Sequence, residues 1–419
     1  MIGYLTIAGF LVAFSMVANR LSRTVVTAPM VFLGFGVLIS QMNILPEEGS
    51  AQALHVIAEV ALIVLLFLDA ARIDQSALVK RRVWPARMLF IGMPLGFVFG
   101  TALGLLALPG WPLAIVAVAA AILIPTDAAL GQPVITNPDV PERPRRALTV
   151  ESGLNDGLAL PLVLLMAALA APDAMAPPEG WLLFGIKQVT LGPLVGVAIG
   201  WAGAVVLVRA KAADTTSDTY EGIGALALAA SAYMAAILVG GNGFISAFAA
   251  GLGFGAVLKG RCSFVFEFTE GEGQLLSWAA FFLLGAVLVP EAVAHLTVET
   301  LVYILGSLFI VRPLAVWLAL TGSDAAPDTR LFFGWFGPRG LATALFALLV
   351  AEQLTPEAAE DILFLAVNAV WISALLHGLS AAPGARLYAR RIKKVAPEAE
   401  MARMTEPFTD TTTKTGKNS

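Results

Sequence analysis

Ser152 and Asp156 stand four residues apart in the stretch TVESGLNDGLALPL (149–162). On a helix they share one face, and Glu151 and Asn155 share the neighbouring one. The first face offers a hydroxyl and a carboxylate, oxygen donors of the kind a hard cation such as Na⁺ or K⁺ takes. The second offers an amide and another carboxylate to an adjoining helix. Gly153 and Gly157 remove side-chain bulk, so other backbones can come close. More oxygen lies upstream, in IPTDAALG (124–131). There Pro125 frees a backbone carbonyl and disfavours helix just before it, beside the Thr126 hydroxyl and the Asp127 carboxylate. Asp69, in LLFLDAAR, is a further candidate ligand. The chemistry is competition: proton and cation contend for the one carboxylate of Asp156. If the empty, ionised site cannot cross an apolar barrier, only loaded forms alternate, and exchange follows.

The elements that hold these groups span a bilayer. Of 419 residues, 58% are hydrophobic and 13% charged, about half the charged share of a soluble domain. Apolar runs near the ~20 residues that cross ~30 Å of hydrocarbon recur along the whole chain. They fall at 2–19, 26–42, 53–71, 87–108, 111–130, 146–171, 181–208, 220–239, 243–258, 273–290, 298–320, 329–351 and 360–381. An ionised carboxylate at the bilayer centre costs at least about 2.5–3.5 kcal/mol, so Glu151 and Asp156 need a functional reason to be there. Basic residues fix the orientation. With the N-terminus outside, the inner loops carry Arg20, Arg72, Lys80, Arg143, Arg209, Lys259 and Arg330, among others. The outer loops carry acids and no Lys or Arg, as the positive-inside rule requires. The chain is thus an all-α polytopic membrane protein of thirteen transmembrane helices, N-terminus outside and C-terminus cytoplasmic. The first run lacks a basic n-region and a clear cleavage site, and is read as a retained span.

An odd count implies six spans, a linker and six more. Residues 1–172 form a first repeat, 173–218 the linker span, and 219–382 a second repeat of inverted sense. Such inverted repeats build many secondary transporters, with discontinuous helices at the midplane. The fifth span breaks at 124–131 and the twelfth at GWFGPRG (334–340), each with a Pro beside a charge, Asp127 and Arg339. The steps from 127 to 339 and from Asp156 to Asn368 share one sequence offset. Residues 383–419 are a cytoplasmic basic segment and, from Val395, a tail expected to be disordered.

Each residue also has a plainer role. Arg339 stays charged in any environment and needs Glu151 or Asp127; a structural Glu151–Arg339 pair is the favoured reading. Asp127 also suits a helix cap, and Thr126 suits satisfaction of freed backbone. Asp69, three residues before Arg72, fits a local ion pair as well as a ligand; Ser152 also suits small packing. Arg312 either snorkels or holds carbonyls near Pro313. His55, His295 and His377 lie at or near span ends with no metal spacing. Phe264, Phe266 and Phe268 alternate in an inner loop, as an interfacial anchor. The net charge of −4 and the single Cys262 point to neither a nucleic-acid partner nor a disulfide framework. A channel would need a continuous polar pore, and an organic-anion carrier unpaired basic residues at the midplane. No HExxH, no His beside a Ser or Cys nucleophile and no GxxxxGK[ST] loop is present, so no enzyme and no cofactor is expected.

The segment ESGLNDGLALPL, with PTDAAL before it, resembles NhaP-type sodium/proton antiporters of the monovalent cation/proton antiporter family. FLDAARID, GGNGFISAFAAGLGFG, EGQLLSWAAFFLLGAVL and FGPRGLATALF match too, in the family's order and up to about residue 380. The resemblance implies a homodimer in a bacterial inner membrane, with two crossing broken helices in each chain. It implies elevator-type transport, in which a core bundle slides against a dimerisation domain. Asp156 would take either a cation or protons, and Ser152 and Thr126 would help bind the cation. Asp69 falls where many members carry a Glu. Asn155, Glu151, Asp127 and Arg339 would hold the crossing. Electrogenic members carry two adjacent aspartates; Asn155 replaces one, which implies electroneutral exchange. The expected cargo is Na⁺, with Li⁺ or K⁺ as alternatives.

Overall fold

The computed structural model describes residues 2–21, 24–43, 50–72, 83–172, 181–258, 263–395 and 398–401, and these form helices joined by short connections. In chain order the helices are α1 (Ile2–Leu21), α2 (Ala28–Gln41), α3 (Ser50–Ala71) and α4 (Val83–Ala107). A broken α5 follows as α5a (Leu113–Ile122) and α5b (Ala128–Ile135). Next come α6 (Glu142–Ala170), α7 (Trp181–Ala212), α8 (Asp218–Leu238), α9 (Gly243–Leu258), α10 (263–294) and α11 (Val298–Leu320). A broken α12 is α12a (Pro327–Trp335) and α12b (Leu341–Ala351); α13 (Pro356–Val395) and a one-turn α14 (Glu398–Met401) follow. Eight of these helices are long and apolar enough to cross a bilayer, and five shorter apolar helices lie among them. With each broken helix counted as one, the membrane helices number thirteen among the described residues, in the expected order.

Three corrections concern extent. α10 begins at Ser263, so Phe264, Phe266 and Phe268 lie in its first turns and not in a loop. α13 runs 40 residues to Val395, because its last turns leave the apolar zone as an amphipathic helix that hydropathy alone does not register. His377 is therefore a mid-helix residue and not near an end. Of the tail expected to be disordered, residues 398–401 form α14, which docks as described below, while 402–419 lie outside the described residues.

Three helices contain one wide π-turn each: Met88–Gly92 in α4, Leu284–Leu288 in α10 and Ser307–Val311 in α11. A proline sits two residues beyond each, at Pro94, Pro290 and Pro313. A helical proline has no N–H and collides with the carbonyl four residues earlier. In each case that carbonyl lies inside the π-turn, which widens the backbone to accept it.

Packing divides the membrane helices into two groups. One contains α1–α3 and α7–α10; the other contains α4–α6 and α11–α13. In the first group α9 is clasped between α7 and α3. The clasp depends on glycine: a Cβ at Gly196 would overlap the Ser246 carbonyl, and one at Gly251 the Phe67 carbonyl.

A polar knot closes the second group at the end where α4 and α6 begin. The Arg143 guanidinium lies 3.7 Å over the Trp84 ring and donates to Asp324 Oδ2 (2.8 Å) and to the Ala399 carbonyl (2.8 Å). Trp84 Nε1 donates to Asp324 Oδ1 (2.7 Å). Glu400 of α14 is fully buried, and its Oε1 accepts from the Ala326 N–H (2.8 Å) and the Thr329 hydroxyl (2.9 Å) at the start of α12a. Its carboxylate thus sits at the positive end of α12a. Burial pushes the Asp324 carboxyl upward, but the hydrogen bonds from Arg143 and Trp84 outweigh it and hold it below its ordinary value. A lowered carboxyl adds stability that is present above the ordinary value, 3.8, and is lost as pH falls through the lowered one. Asp324→Asn is therefore expected to lower the melting temperature at pH 7 and to flatten its fall on acidification below about pH 4, as measured by thermal unfolding across pH in detergent.

Candidate functional site

The two breaks lie against each other, and their orphaned backbone groups find partners there. Pro125 ends α5a, and the freed carbonyls of Ile124 and Pro125 accept from Arg339 Nη1 at 2.6 and 3.1 Å. The Asp127 N–H donates to the Pro338 carbonyl (2.8 Å), tying one break to the other. The Asp127 carboxylate serves both second halves: Oδ2 accepts from the Leu341 N–H (3.0 Å) and Oδ1 from the Leu130 N–H (3.4 Å). It therefore caps α12b and α5b together. Gly340 is the residue this allows, since a Cβ there would coincide with the Asp127 carboxylate.

α6 passes the crossing with Glu151, Ser152 and Asn155 all meeting Thr126. Asn155 Nδ2 donates to Thr126 Oγ1 (2.6 Å) and reaches Glu151 Oε1 at 3.4 Å. Thr126 Oγ1 lies 3.3 Å from Ser152 Oγ and 3.3 Å from Glu151 Oε2. Thr126, Glu151, Ser152 and Asn155 are all buried.

The partners of the two buried arginines differ from expectation. Glu151 is bound by Arg312, not Arg339: Nη1 to Oε1 at 2.8 Å and Nη2 to Oε2 at 3.1 Å, a parallel fork with side chains 1% and 8% exposed. Arg339 instead takes the carbonyl role that the sequence reading offered to Arg312. The physical reason is position. α11 brings Arg312 alongside α6, while Arg339 lies in the break itself, facing the negative end of α5a. Arg312 is the site residue that sequence reasoning missed as a charge partner. The available signal was that Arg312, like Arg339, lies well inside a span, where a guanidinium needs a buried acid or carbonyl.

Asp156 projects from α6 with its Oδ1 buried and without a donor among the described residues, and Asn155 Oδ1 is in the same condition. Asp69, Asp127 and Glu151 all act on Asp156 by charge. A cation or proton there relieves mutual repulsion as well as meeting an oxygen. Asp69 comes from α3, in the other helix group, and packs against α6 at Gly153, where a Cβ would stand 3.5 Å from the Asp69 carbonyl. Of the expected site residues, Thr126 thus comes from the α5 break, Ser152 and Asp156 from α6, and Asp69 from α3, across the boundary between groups.

Comparison with known proteins follows this geometry. The family model described as "Sodium/hydrogen exchanger, transmembrane" matches residues 7–386. The chain is 29% identical to the K⁺/H⁺ antiporter NhaP2 of Shewanella sp. (strain ANA-3) over 390 residues, 91% of this chain and 65% of that protein. It is 26% identical to the K⁺/H⁺ antiporter NhaP of Alkalimonas amylolytica over 91% of this chain and 66% of the relative. It thus spans about two thirds of the length of these relatives. The probable Na⁺/H⁺ antiporter 2 of Methanocaldococcus jannaschii is 24% identical over 76% of this chain and 78% of that one. Among solved structures, the sodium proton antiporter MjNhaP1 of M. jannaschii superposes with a TM-score of 0.75 at 22% identity, covering 93% of this chain and 98% of that one.

Breaking the buried Glu151–Arg312 pair from one side strands a charge. Glu151→Leu or Arg312→Leu is expected to cost about 3–5 kcal/mol, and the double replacement distinctly less, as read from unfolding of the purified variants in detergent.

Proposed function

We infer the function from one premise: the chain belongs to the sodium/hydrogen exchanger family. The proposed activity is exchange of a monovalent cation for a proton across a bacterial inner membrane, one for one. One observation carries this reading. The Asp156 carboxylate stands one helical turn from Ser152, whose hydroxyl meets Thr126, with an oxygen that no group among the described residues engages. A carboxylate in that condition binds one positive charge at a time, so cation and proton exclude each other.

The steps follow from electrostatics. With a cation on Asp156, Ser152 and Thr126 contribute neutral oxygens, and Asp69 adds charge from across the group boundary. When a proton replaces the cation, the carboxyl is neutral and again free to traverse apolar surroundings. The empty, ionised form is confined, because an uncompensated carboxylate away from water is costly. Alternation of the two loaded forms is exchange. The movement proposed is an elevator, in which α4–α6 and α11–α13 shift as a body against the other helices; the division of the packing into those two groups supports it. Asn155 is spent on Thr126 and Glu151 and brings no second titrating group, which supports electroneutrality. The orientation proposed places the knot around Arg143 on the cytoplasmic side, where the basic residues gather.

Two cations remain in view on specific grounds. The structural neighbour is named for sodium, and the NhaP2 and NhaP relatives for K⁺. The deciding experiment is cation-driven proton movement in reconstituted vesicles with Na⁺, Li⁺ and K⁺ in turn. Saturable exchange is expected that ignores an imposed membrane potential, and Asp156→Asn is expected to reduce it to the level of protein-free vesicles. Undiminished exchange by Asp156→Asn overturns the reading.

A further inference from the structure

The exchange mechanism makes no use of His377, yet this ring is 2% exposed at the centre of α13 and holds the α12 break. It stacks on Trp335, the last residue of α12a, with ring centroids 4.9 Å apart. Its Nε2 lies 2.9 Å from the Trp335 carbonyl, a group left over where the half-helix ends. Its Nδ1 lies 3.1 Å from Ser373 Oγ, one turn earlier on α13. Ser373 Oγ in turn accepts the backbone N–H of Arg339 at 2.7 Å. One turn further along α13, Ser380 Oγ accepts from Trp335 Nε1 at 3.0 Å. Ser373, His377 and Ser380 thus form a stripe at helical spacing that grips the break from both sides.

The proton arrangement follows from the partners. A carbonyl only accepts, so Nε2 carries hydrogen and donates to Trp335. Nδ1 faces both the Ser373 hydroxyl at 3.1 Å and the Ser373 carbonyl at 3.0 Å. In the neutral ring with its hydrogen on Nε2, Nδ1 accepts from the Ser373 hydroxyl, whose oxygen takes the Arg339 N–H.

We propose that His377 is a positioning residue that sets the cation affinity of the Asp156 site through the α12 break. The path is continuous. His377 and Ser373 fix the backbone at Arg339; its Nη1 holds the Ile124 and Pro125 carbonyls; and Thr126, the next residue, stands 3.3 Å from Ser152. His377 touches no site oxygen itself. In the break of the second repeat it does what Arg339 does in the first, taking up a carbonyl at the end of the first half-helix.

This inference rests on the exchange reading, so its test has one arm that needs no transport. In full-length protein, His377→Leu is expected to speed amide hydrogen exchange across residues 336–341, while His377→Gln, which keeps an N–H donor, stays close to wild type. In vesicles, His377→Leu is expected to raise the half-saturating cation concentration about tenfold with the maximal rate within about twofold of wild type. His377→Gln is expected to recover the affinity and keep the wild-type pH profile. If His377→Leu does not fold, Ser373→Ala, which removes the acceptor for Arg339, is read the same way. Unchanged protection at 336–341 or unchanged half-saturation overturns the proposal. So does a shifted pH profile in His377→Gln, which would make the ring a proton carrier. Failure of wild-type vesicles to exchange at all overturns the functional reading instead, and the amide arm still decides whether His377 holds the break.

Discussion

Backbone that is not helical inside hydrocarbon has no water to complete its hydrogen bonds. This chain interrupts two helices at one depth, and the surrounding structure is arranged to satisfy what the interruptions expose. Asp127 answers the amides at the starts of α5b and α12b, Arg339 the carbonyls at the end of α5a, and His377 a carbonyl at the end of α12a. The halves are thereby fastened to each other and to α13. Only a crossing closed in this way can present Thr126 to α6 at hydrogen-bond range without collapsing onto it.

The same accounting explains why Asp156 is available. Four carboxylates, Asp69, Asp127, Glu151 and Asp156, share the centre with two guanidinium groups. Arg312 is committed to Glu151 by a two-pronged bond. Arg339 is directed at carbonyls, whose partial negative charge at a helix end stabilises a cation. Positive charge is thus satisfied without drawing on Asp156, and Thr126 and Asn155 meet the Glu151 carboxylate as well.

Much of this was legible in the sequence, for identifiable reasons. The spans were, because bilayer thickness and basic-residue asymmetry act on composition directly. The breaks were, because Pro125 and Pro338 each sit beside a charge within an apolar run. The faces of α6 followed from helical spacing, and Asp127 as a cap from its place beside a proline. The choice of partner for Glu151 was not legible. Arg312 and Arg339 each lie beside a proline in a late span, and chain distance says nothing about which one packing brings to α6. His377 was passed over because hydropathy placed it near the end of a span, whereas α13 continues well past it. α14 escaped for a related cause: a four-residue helix has no periodicity to read, and its order comes wholly from partners distant in sequence, Arg143, Ala326 and Thr329.

That docked turn has a mechanical consequence. A chain leaving the bundle at Val395 alone could be peeled from its tip, one turn of α13 at a time. With Ala399 held by Arg143 and Glu400 by Ala326 and Thr329, tension applied at Met401 enters α6 and α12a first. These bonds are loaded side by side and must fail together before α13 can unravel. α14 is thereby coupled in series with the half-helix that leads into the crossing.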